Sequence, residues 1–320
     1  MTNVVLITGG FGYLGGRIAQ QLAKTKGTTV RLATRRHNPS APQWLPEAEV
    51  VRLALDNDPS IEAACNGVHA VIHLAALDAK ECGDDPQRAL QVNGAGTLKL
   101  LQAAERAGVG KFIYFSTAHV YGAPLAGTLT EQSLPRPAHP YAITHHIAED
   151  FVLAARDRGA VEGIVVRMSN GFGAPAHTDI SQWTLIVNDL CRQAITTREL
   201  VLRTSGLQLR DFVTLGDAAR ATEHLLRLPT SDCSDGLFNL GGACAYSMLA
   251  LSERIAARCQ SVLGFTPSIR RPAATPDEKV LPLDYRIDKL RQTGFELRGD
   301  IDFEIDATLK ICKTAFQIDN

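Results

Sequence analysis

The sequence predicts an α/β protein built on a doubly wound parallel sheet, with a smaller C-terminal lobe. Short apolar segments alternate with helix-length segments through the first half of the 320-residue chain, and a glycine-rich turn follows the first of them. Strands that are apolar throughout and that alternate with helices are typical of a parallel sheet covered by helices on both faces.

The strands predicted in the first half are short runs rich in Val, Ile, Leu and Phe. They cover Val4–Ile7, Thr29–Ala33, Glu49–Leu53, Ala70–Leu74, Lys111–Ser116 and Gly163–Arg167. The helices predicted between them cover Tyr13–Lys24, Pro86–Ala107 and Tyr141–Arg158. In the first helix Leu14, Ile18 and Leu22 share one face, as an amphipathic helix requires. A glycine follows each helix, as is usual at a helix end: Gly27, Gly108 and Gly159.

The alternation weakens after Arg167, and residues 169–209 show no clear period. Beyond them, the sequence predicts strands at Phe212–Leu215 and Phe238–Leu240, and helices at Asp217–Leu228 and Met248–Leu263. We therefore expect the large-sheet domain to contain residues 1–168, with residues 206–240 returning to it. Residues 169–205 and 241–320 are expected to form the smaller, substrate-binding lobe.

Composition narrows the class of protein. The formal net charge is -1 with both signs interspersed, which argues against a nucleic-acid or membrane-surface partner because both require a basic field. No apolar stretch is long enough to predict a membrane-spanning helix, and the start of the chain lacks the pattern of a signal peptide. The seven cysteines are scattered without metal-ligand spacing, so we expect reduced thiols, no metal and a cytoplasmic location.

The glycine-rich turn indicates a dinucleotide site. Gly9, Gly12 and Gly15 lie between a predicted strand and a predicted helix. Backbone amides at a helix N-terminus bind a pyrophosphate, and glycine permits its close approach. In this context the spacing predicts a Rossmann-type domain that binds NAD or NADP, although a glycine-rich turn without a ligand would look the same. We expect further cofactor contacts from the turn and from neighbouring strand ends, at Tyr13, Leu14, Leu55, Leu74, Ala75 and Ala76.

The end of the second strand favours NADP over NAD. NAD-binding chains usually place an acidic residue there for the adenosine ribose, whereas this chain has Thr34, Arg35 and Arg36. A guanidinium can bind a 2′-phosphate through two parallel hydrogen bonds, although both arginines could also belong to a solvated loop. Asp56 follows the third strand, where it could contact the adenine.

Eight motifs in order along the chain resemble those of one family. They are TGGFGYLGG, AVIHLAA, VNGAGTLKLLQAA, FIYFSTAHVYG, PYAITHH, VVRMSNGFGAP, QLRDFVTLGDAARA and FNLGG. Together they resemble the extended short-chain dehydrogenase/reductases, which include the NAD-dependent epimerase/dehydratase group. The resemblance covers nearly the whole length and is closest to members that modify nucleotide sugars.

The resemblance implies roles for particular residues. The family's catalytic hydroxyl and tyrosine fall on Thr117 and Tyr141, and its lysine falls on His145. Asn93 falls where the family supports the active-site helix. Contacts to the substrate's diphosphate or nucleotide fall on Asn170, Arg210 and Arg271. For Arg210, a purely structural pair with the adjacent aspartate remains the alternative.

The resemblance also implies a homodimer formed through two helices of each subunit. These would be the predicted helices Pro86–Ala107 and Tyr141–Arg158. The apolar residues of the first helix are compatible with packing on both the sheet and a partner helix.

His145 is the first departure from the family. Tyr141 and His145 are four residues apart on a helix, so they can face one cleft. The family's lysine holds the nicotinamide ribose and lowers the tyrosine pKa with its charge. Histidine, with an ordinary pKa of about 6.5, is mostly neutral at pH 7, although it can offer one N–H to a ribose hydroxyl. Two interpretations remain open: a working site with an altered partner, or a histidine that only packs in a site that has lost function.

The second departure follows Thr117. Family members that dehydrate sugars usually carry Asp and then Glu in the next two positions, where this chain has Ala118 and His119. Without those carboxylates the acid and base for elimination are missing, so an epimerase or keto-reductase is favoured over a dehydratase. His119 could act as a base at a neighbouring sugar carbon, or simply line the pocket.

These observations predict an NAD(P)-dependent epimerase or keto-reductase that acts on a nucleotide sugar, with Tyr141 as the acid or base. A reductase of another small carbonyl compound is the second possibility. A non-catalytic dinucleotide-binding protein is the third, because of His145.

Overall fold

A computed structural model of the chain describes residues 3–316. Residues 1–2, at the start of the predicted range 1–168, and residues 317–320, at the end of the predicted range 241–320, lie outside the described residues. The predicted fold class is confirmed, because seven parallel strands form one central sheet with helices against both faces.

The strands, in chain order, are β1 (Asn3–Thr8), β2 (Thr28–Thr34), β3 (Glu49–Arg52), β4 (Ala70–His73), β5 (Lys111–Thr117), β6 (Gly127–Leu129), β7 (Glu162–Met168), β8 (Asn170–Phe172), β9 (Glu199–Val201), β10 (Leu209–Thr214), β11 (Leu237–Leu240), β12 (Ala245–Ser247), β13 (Ser268–Arg270) and β14 (Leu283–Tyr285). The central sheet has the order β11–β7–β5–β4–β1–β2–β3. The chain therefore starts in the middle of the sheet and winds outward in both directions, which places the carboxyl ends of β1, β4 and β5 side by side.

The α-helices, in chain order, are α1 (Tyr13–Ala23), α2 (Asp58–Cys65), α3 (Ala79–Asp84), α4 (Pro86–Ala89), α5 (Gly96–Arg106), α6 (Pro140–Asp157), α7 (Ile186–Thr197), α8 (Leu215–Arg227), α9 (Met248–Leu263), α10 (Asp288–Gln292) and α11 (Ile301–Phe316). One π-helical segment, Leu90–Ala95, lies between α4 and α5. Short 3₁₀ turns cover Ala118–Tyr121, Gln182–Thr184 and Thr230–Asp232.

Both faces of the central sheet are buried. Along β1, Val5 and Ile7 join the core under α1 and α8, whereas Leu6 joins the core under α2, α5 and α6. Because neighbouring side chains of a strand point to opposite faces, a strand covered on both sides must be apolar at every position. This requirement explains why the strands of the first half appear in the sequence as unbroken apolar runs.

The predicted helix Pro86–Ala107 is not continuous. It is divided into α4, the π-helical segment and α5. The π-helical segment packs against α6 and carries Asn93, whose buried side chain bonds to residues outside its own helix. A π-helical turn is one residue wider than an α-helical turn, and such turns are frequent at functional sites.

A second core lies in the C-terminal half of the chain. It is formed by α7, α9 and α11 with β8 and β10, and Phe172, Leu190 and Leu309 are among its buried residues. The strand predicted at Phe212–Leu215 is β10, which belongs to the small sheet β12–β10–β8 and not to the central sheet. Conversely, Leu290 and Phe295 belong to the core of the central sheet, although they lie in the range 241–320 that was expected to form the smaller lobe. The domain boundaries given above remain a prediction.

Candidate active site

The glycine-rich turn connects β1 to α1, with Gly12 at the N-cap of the helix. Gly9 has φ +69°, a left-handed conformation that glycine adopts without strain, and its carbonyl accepts the Gly12 N–H at 2.9 Å. A β-carbon at Gly15 would overlap the Gly9 carbonyl oxygen. The turn therefore depends on glycine, and its free amides and helix N-terminus fit the pyrophosphate of a dinucleotide.

One cleft of about 1720 Å³ runs from this turn to the second core. Pockets for a single small ligand usually measure ~300–1,000 Å³, so this cleft has room for a dinucleotide and a second ligand. Most of the predicted site residues line it, namely Gly9, Gly12, Tyr13, Leu14, Gly15, Thr34, Arg35, Leu55, Asp56, Leu74, Ala75, Ala76, Thr117, His119, Tyr141, His145, Asn170 and Arg210.

Three predicted site residues do not line the cleft. Arg36 is exposed and pairs with Asp179 at 3.3 Å, and neither residue lines the cleft. Arg271 donates to the backbone carbonyl of Ser205 at 3.0 Å. Asn93 is buried behind the wall of the cleft.

Tyr141 and Thr117 come together from two elements, the first turn of α6 and the end of β5. Burial raises the pKa of Tyr141 to about 12, and its hydrogen-bonding contact with Thr117 opposes that rise. Cys82 and Asp78 raise this pKa further. Among the described residues, no cation contributes to lowering the pKa of Tyr141, so the phenol stays protonated near neutral pH.

His145 follows Tyr141 by one turn and is 3% exposed. Its Nδ1 lies 2.8 Å from the backbone carbonyl of Tyr141, and the two rings are 4.2 Å apart between centroids. A carbonyl oxygen can only accept, so Nδ1 carries the proton. Burial lowers the pKa of His145 to about 4, which leaves the ring neutral. The expectation that this histidine offers its N–H to a ribose hydroxyl is not what the structure indicates, because its own helix uses that N–H.

Asn93 holds α6 against the loop that follows β4. Its Oδ1 accepts the Leu77 N–H at 2.8 Å, and its Nδ2 donates to the Thr144 hydroxyl at 3.1 Å. Thr144 lies on α6 between Tyr141 and His145. Asn93 thus contacts the helix that presents both rings.

The cleft is also lined by Arg210, Asn170 and His119. Arg210 does not pair with the adjacent Asp211, whose carboxylate accepts instead from Ser169 at 2.6 Å and from the Gly242 amide at 2.8 Å. Among the described residues, no carboxylate forms an ion pair with Arg210. The cleft walls take its guanidinium partly out of water and so lower its pKa. A cation without a carboxylate partner in a cleft is suited to an anionic ligand.

His119 lies close enough to Arg210 for the two charges to interact. Partial burial lowers the pKa of His119, and the positive charge of Arg210 lowers it further. A neutral imidazole in the cleft can accept or donate one hydrogen bond.

Sequence reasoning missed several residues that line the cleft. Arg203, Thr204 and Gln208 line the cleft between β9 and β10. Arg203 and Arg210 belong to one segment, LRTSGLQLR. The short spacing between the two arginines could have indicated that Arg203 also lines the site. The Tyr13 hydroxyl was also missed. It donates to the Gly173 carbonyl at 2.7 Å and so connects the glycine turn to the segment after β8.

Within residues 3–316, no three His, Cys, Asp or Glu side chains are placed together to hold a metal ion. Nor does any helix in that range combine the length and apolar character needed to span a bilayer.

A Rossmann-type fold with a tyrosine and a hydroxyl residue beside a glycine-rich turn defines a class, that of enzymes that transfer hydride between a dinucleotide and a small substrate. The sequence model of the NAD dependent epimerase/dehydratase family matches residues 5–241, which is more than half of the chain. The chain therefore belongs to this family and is an enzyme.

Several known enzymes of nucleotide sugars are similar to this chain in sequence or in structure. A UDP-glucose 4-epimerase of Rhizobium leguminosarum bv. trifolii is 32% identical over 57% of this chain and 56% of its own length. A GDP-6-deoxy-D-mannose reductase of Pseudomonas aeruginosa is 35% identical over 49% of this chain and 53% of its own length. The chain thus spans little more than half the length of these two relatives. A UDP-glucose 4-epimerase of Thermus thermophilus, solved in complex with NAD, covers 98% of this chain and 99% of its own with a TM-score of 0.79 at 22% identity.

Proposed function

We propose that this enzyme is an NAD(P)-dependent epimerase or keto-reductase of a nucleotide-activated sugar, with Tyr141 as its acid or base. The observation that carries the proposal is the single cleft that joins the glycine turn, the Thr117–Tyr141 pair and Arg210. The turn would hold the dinucleotide, and Arg210 with Asn170 would hold the diphosphate of the sugar nucleotide. The bound dinucleotide supplies or accepts the hydride, while Thr117 and Tyr141 bond to the substrate oxygen and move its proton.

The similar proteins support a nucleotide sugar over another small carbonyl compound. Their names describe enzymes of UDP- and GDP-linked sugars, and one of the two relatives above is a reductase. A substrate without phosphate would leave Arg210 in the cleft with no anion to bind.

NADP is the cofactor we favour. Arg35 lines the cleft at the end of β2, and no carboxylate among the described residues forms an ion pair with it. Arg36 is engaged with Asp179, so Arg35 is the better candidate for a 2′-phosphate. We also propose a cytoplasmic homodimer, for which the exposed side chains of Leu90 and Ile143 supply apolar surface on the two expected helices.

The test is turnover of a substrate panel. Purified protein is incubated with NAD(H) or NADP(H) and with UDP-, GDP- and dTDP-sugars, and the products are identified by mass and by NMR. We expect turnover that is lost in Tyr141→Phe. Cofactor binding without turnover of any sugar, between about pH 5 and about pH 10, would support the non-catalytic alternative instead.

A further inference from the structure

The loop between β9 and β10, residues 202–208, lines a part of the cleft that the proposed hydride transfer does not use. Arg203, Thr204 and Gln208 of this loop line the cleft together with Arg210, which follows the loop in β10. If Arg210 binds the diphosphate, the sugar extends from it toward Tyr141, and the nucleoside is joined to its other end. The base therefore has to lie close to Arg210, and the loop that leads into Arg210 is the candidate for contacting it.

Apolar side chains next to the loop offer a surface for a flat ring. Leu185, Ile186 and Val201 all line the cleft. They come from the start of α7 and the end of β9, two elements that pack against each other. Leu185 is 42% exposed, which is unusual for a leucine that lines a cleft. The face of a base would cover such a side chain and remove its apolar area from water.

The polar side chains of the loop present hydrogen-bond donors. Among the described residues, the guanidinium of Arg203 has no hydrogen bond or ion pair. Oε1 of Gln208 accepts from the Thr204 hydroxyl at 3.0 Å, and the oxygen of that hydroxyl accepts the Gly206 N–H at 3.4 Å. Because this contact uses Oε1, the Nε2 group of Gln208 is the part left for a ligand, and it can only donate.

The carboxylate of α7 that lines the cleft does not change this pattern. Asp189 accepts from Arg192 and, at 2.7 Å, from Gln193, and both partners belong to its own helix. It forms no ion pair with Arg203. The side chains that the loop itself offers to a base, those of Arg203 and Gln208, are therefore donors.

Guanine is the base whose edge matches such a pair of donors. It carries two neighbouring acceptors, O6 and N7, and a guanidinium can donate to both at once. Adenine has an amino group beside N7, and cytosine presents an amino group there. Thymine offers a single acceptor, O4, with a methyl group next to it, and uracil has a carbon-bound hydrogen in place of that methyl group. A donor that meets an amino group leaves both groups without a partner, which costs free energy.

We propose that this loop recognises the base and selects guanine, so that the substrate is a GDP-linked sugar. Arg203 donates to O6 and N7, Gln208 donates to O6 through Nε2, and Leu185 covers one face of the ring. The inference rests on the proposed function, because it takes Arg210 as the site of the diphosphate. Arg203 and Gln208 are then specificity-determining residues that take no part in the hydride transfer.

The first test compares nucleotide affinities of the wild type. Isothermal titration calorimetry, on protein saturated with NADP and at fixed salt, measures the binding of GDP, UDP, dTDP, CDP and ADP. GDP should bind about 5- to 150-fold more tightly than each of the others, which is the discrimination that one bidentate contact to a base supplies. 7-Deaza-GDP, which has a carbon-bound hydrogen in place of N7, should bind about fivefold or more weakly than GDP.

Two variants separate recognition of the base from attraction of the phosphates. Arg203→Lys keeps the charge without the planar fork, and Arg203→Met removes both. In each variant GDP and 7-deaza-GDP should bind equally, and the preference for GDP over UDP should fall. An arginine that acts only through its charge would predict the opposite, namely GDP affinity preserved in Arg203→Lys and equal losses for GDP and UDP in Arg203→Met.

Arg270→Met is the matched control. Arg270 pairs with Glu199 at 3.2 Å, on the strand that is hydrogen-bonded to β9, and it does not line the cleft. Its loss should leave the preference for GDP unchanged.

The possible results separate this inference from the proposed function. Tighter binding of UDP or dTDP than of GDP, or equal binding of GDP and 7-deaza-GDP by the wild type, would overturn the inference and leave the proposed function standing. If no nucleoside diphosphate binds, the proposed function fails together with the inference. The comparison of GDP with 7-deaza-GDP needs only the wild type, so it remains decisive even if a variant at Arg203 fails to fold.

Discussion

Arg210 offers a test of the proposed nucleotide-sugar site that separates binding from folding. Among the described residues it forms no ion pair with a carboxylate, while its neighbour Asp211 is satisfied by Ser169 and by backbone amides. Arg210→Gln therefore removes a cation without leaving a buried carboxylate unpaired. We expect the free energy of unfolding to change by no more than about 0.5 kcal/mol, as is usual for an exposed substitution.

The loss in ligand affinity should be much larger. A hydrogen bond to a charged group contributes about 1.5–3 kcal/mol, and each 1.4 kcal/mol corresponds to a factor of ten. Arg210→Gln should therefore weaken the binding of UDP, GDP or dTDP, whichever the wild type binds best, by about 10- to 150-fold. Isothermal titration calorimetry at fixed salt, on protein saturated with NADP, measures this difference.

Arg254→Gln is the matched control. Arg254 pairs with Asp302 at 2.6 Å on the surface of the second core and does not line the cleft. Its loss should lower stability slightly, by less than about 1 kcal/mol, and leave nucleotide affinity unchanged. Equal affinities of wild type and Arg210→Gln, or equal losses in both variants, would refute the reasoning.

Three further variants test the turn, the cofactor preference and a buried ion pair. Gly15→Ala places a methyl group against the Gly9 carbonyl, so NADP affinity in a fluorescence titration should fall about tenfold or more; unchanged affinity would contradict the role of the turn. Arg35→Ala should weaken NADP about 10- to 150-fold and spare NAD, and an equal effect on both would argue against a 2′-phosphate contact. Glu149→Gln leaves the Arg167 guanidinium buried without the carboxylate that binds it at 2.6 Å. Urea unfolding should show a loss of about 3–5 kcal/mol, and a loss below about 1 kcal/mol would show that the pair contributes little.

The sequence predicts the central sheet well because burial on both faces forces its strands to be apolar at every position. It predicts α7, α11 and the small sheets poorly. Their core joins Phe172, Leu190 and Leu309, which are far apart in the sequence, so no local period marks these elements. The π-helical segment was missed for a related reason, because the contacts of Asn93 with Leu77 and Thr144 are not local.

The candidate site, like the fold, has features that the sequence predicts and features that it does not. The glycine spacing and the resemblance to the family's motifs together predicted site residues that mostly lie in one cleft, from Gly9 to Arg210. They do not predict which way a long side chain turns. Arg36 and Arg271 were therefore expected in the cleft, whereas Arg36 pairs with Asp179 and Arg271 donates to the Ser205 carbonyl. The proton on Nδ1 of His145 is also beyond sequence reasoning, because it depends on the orientation of one ring relative to its own helix.

The central claim is that this cleft performs a hydride transfer to a sugar nucleotide. The most direct measurement uses NADPH carrying deuterium at the transferable C4 position, incubated with keto forms of UDP-, GDP- and dTDP-sugars. We predict a product that is heavier by one mass unit through deuterium at the new carbinol carbon, formed by the wild type and not by Tyr141→Phe. Unlabelled sugars and unconsumed NADPH across the panel, or equal labelling by Tyr141→Phe, would contradict the account.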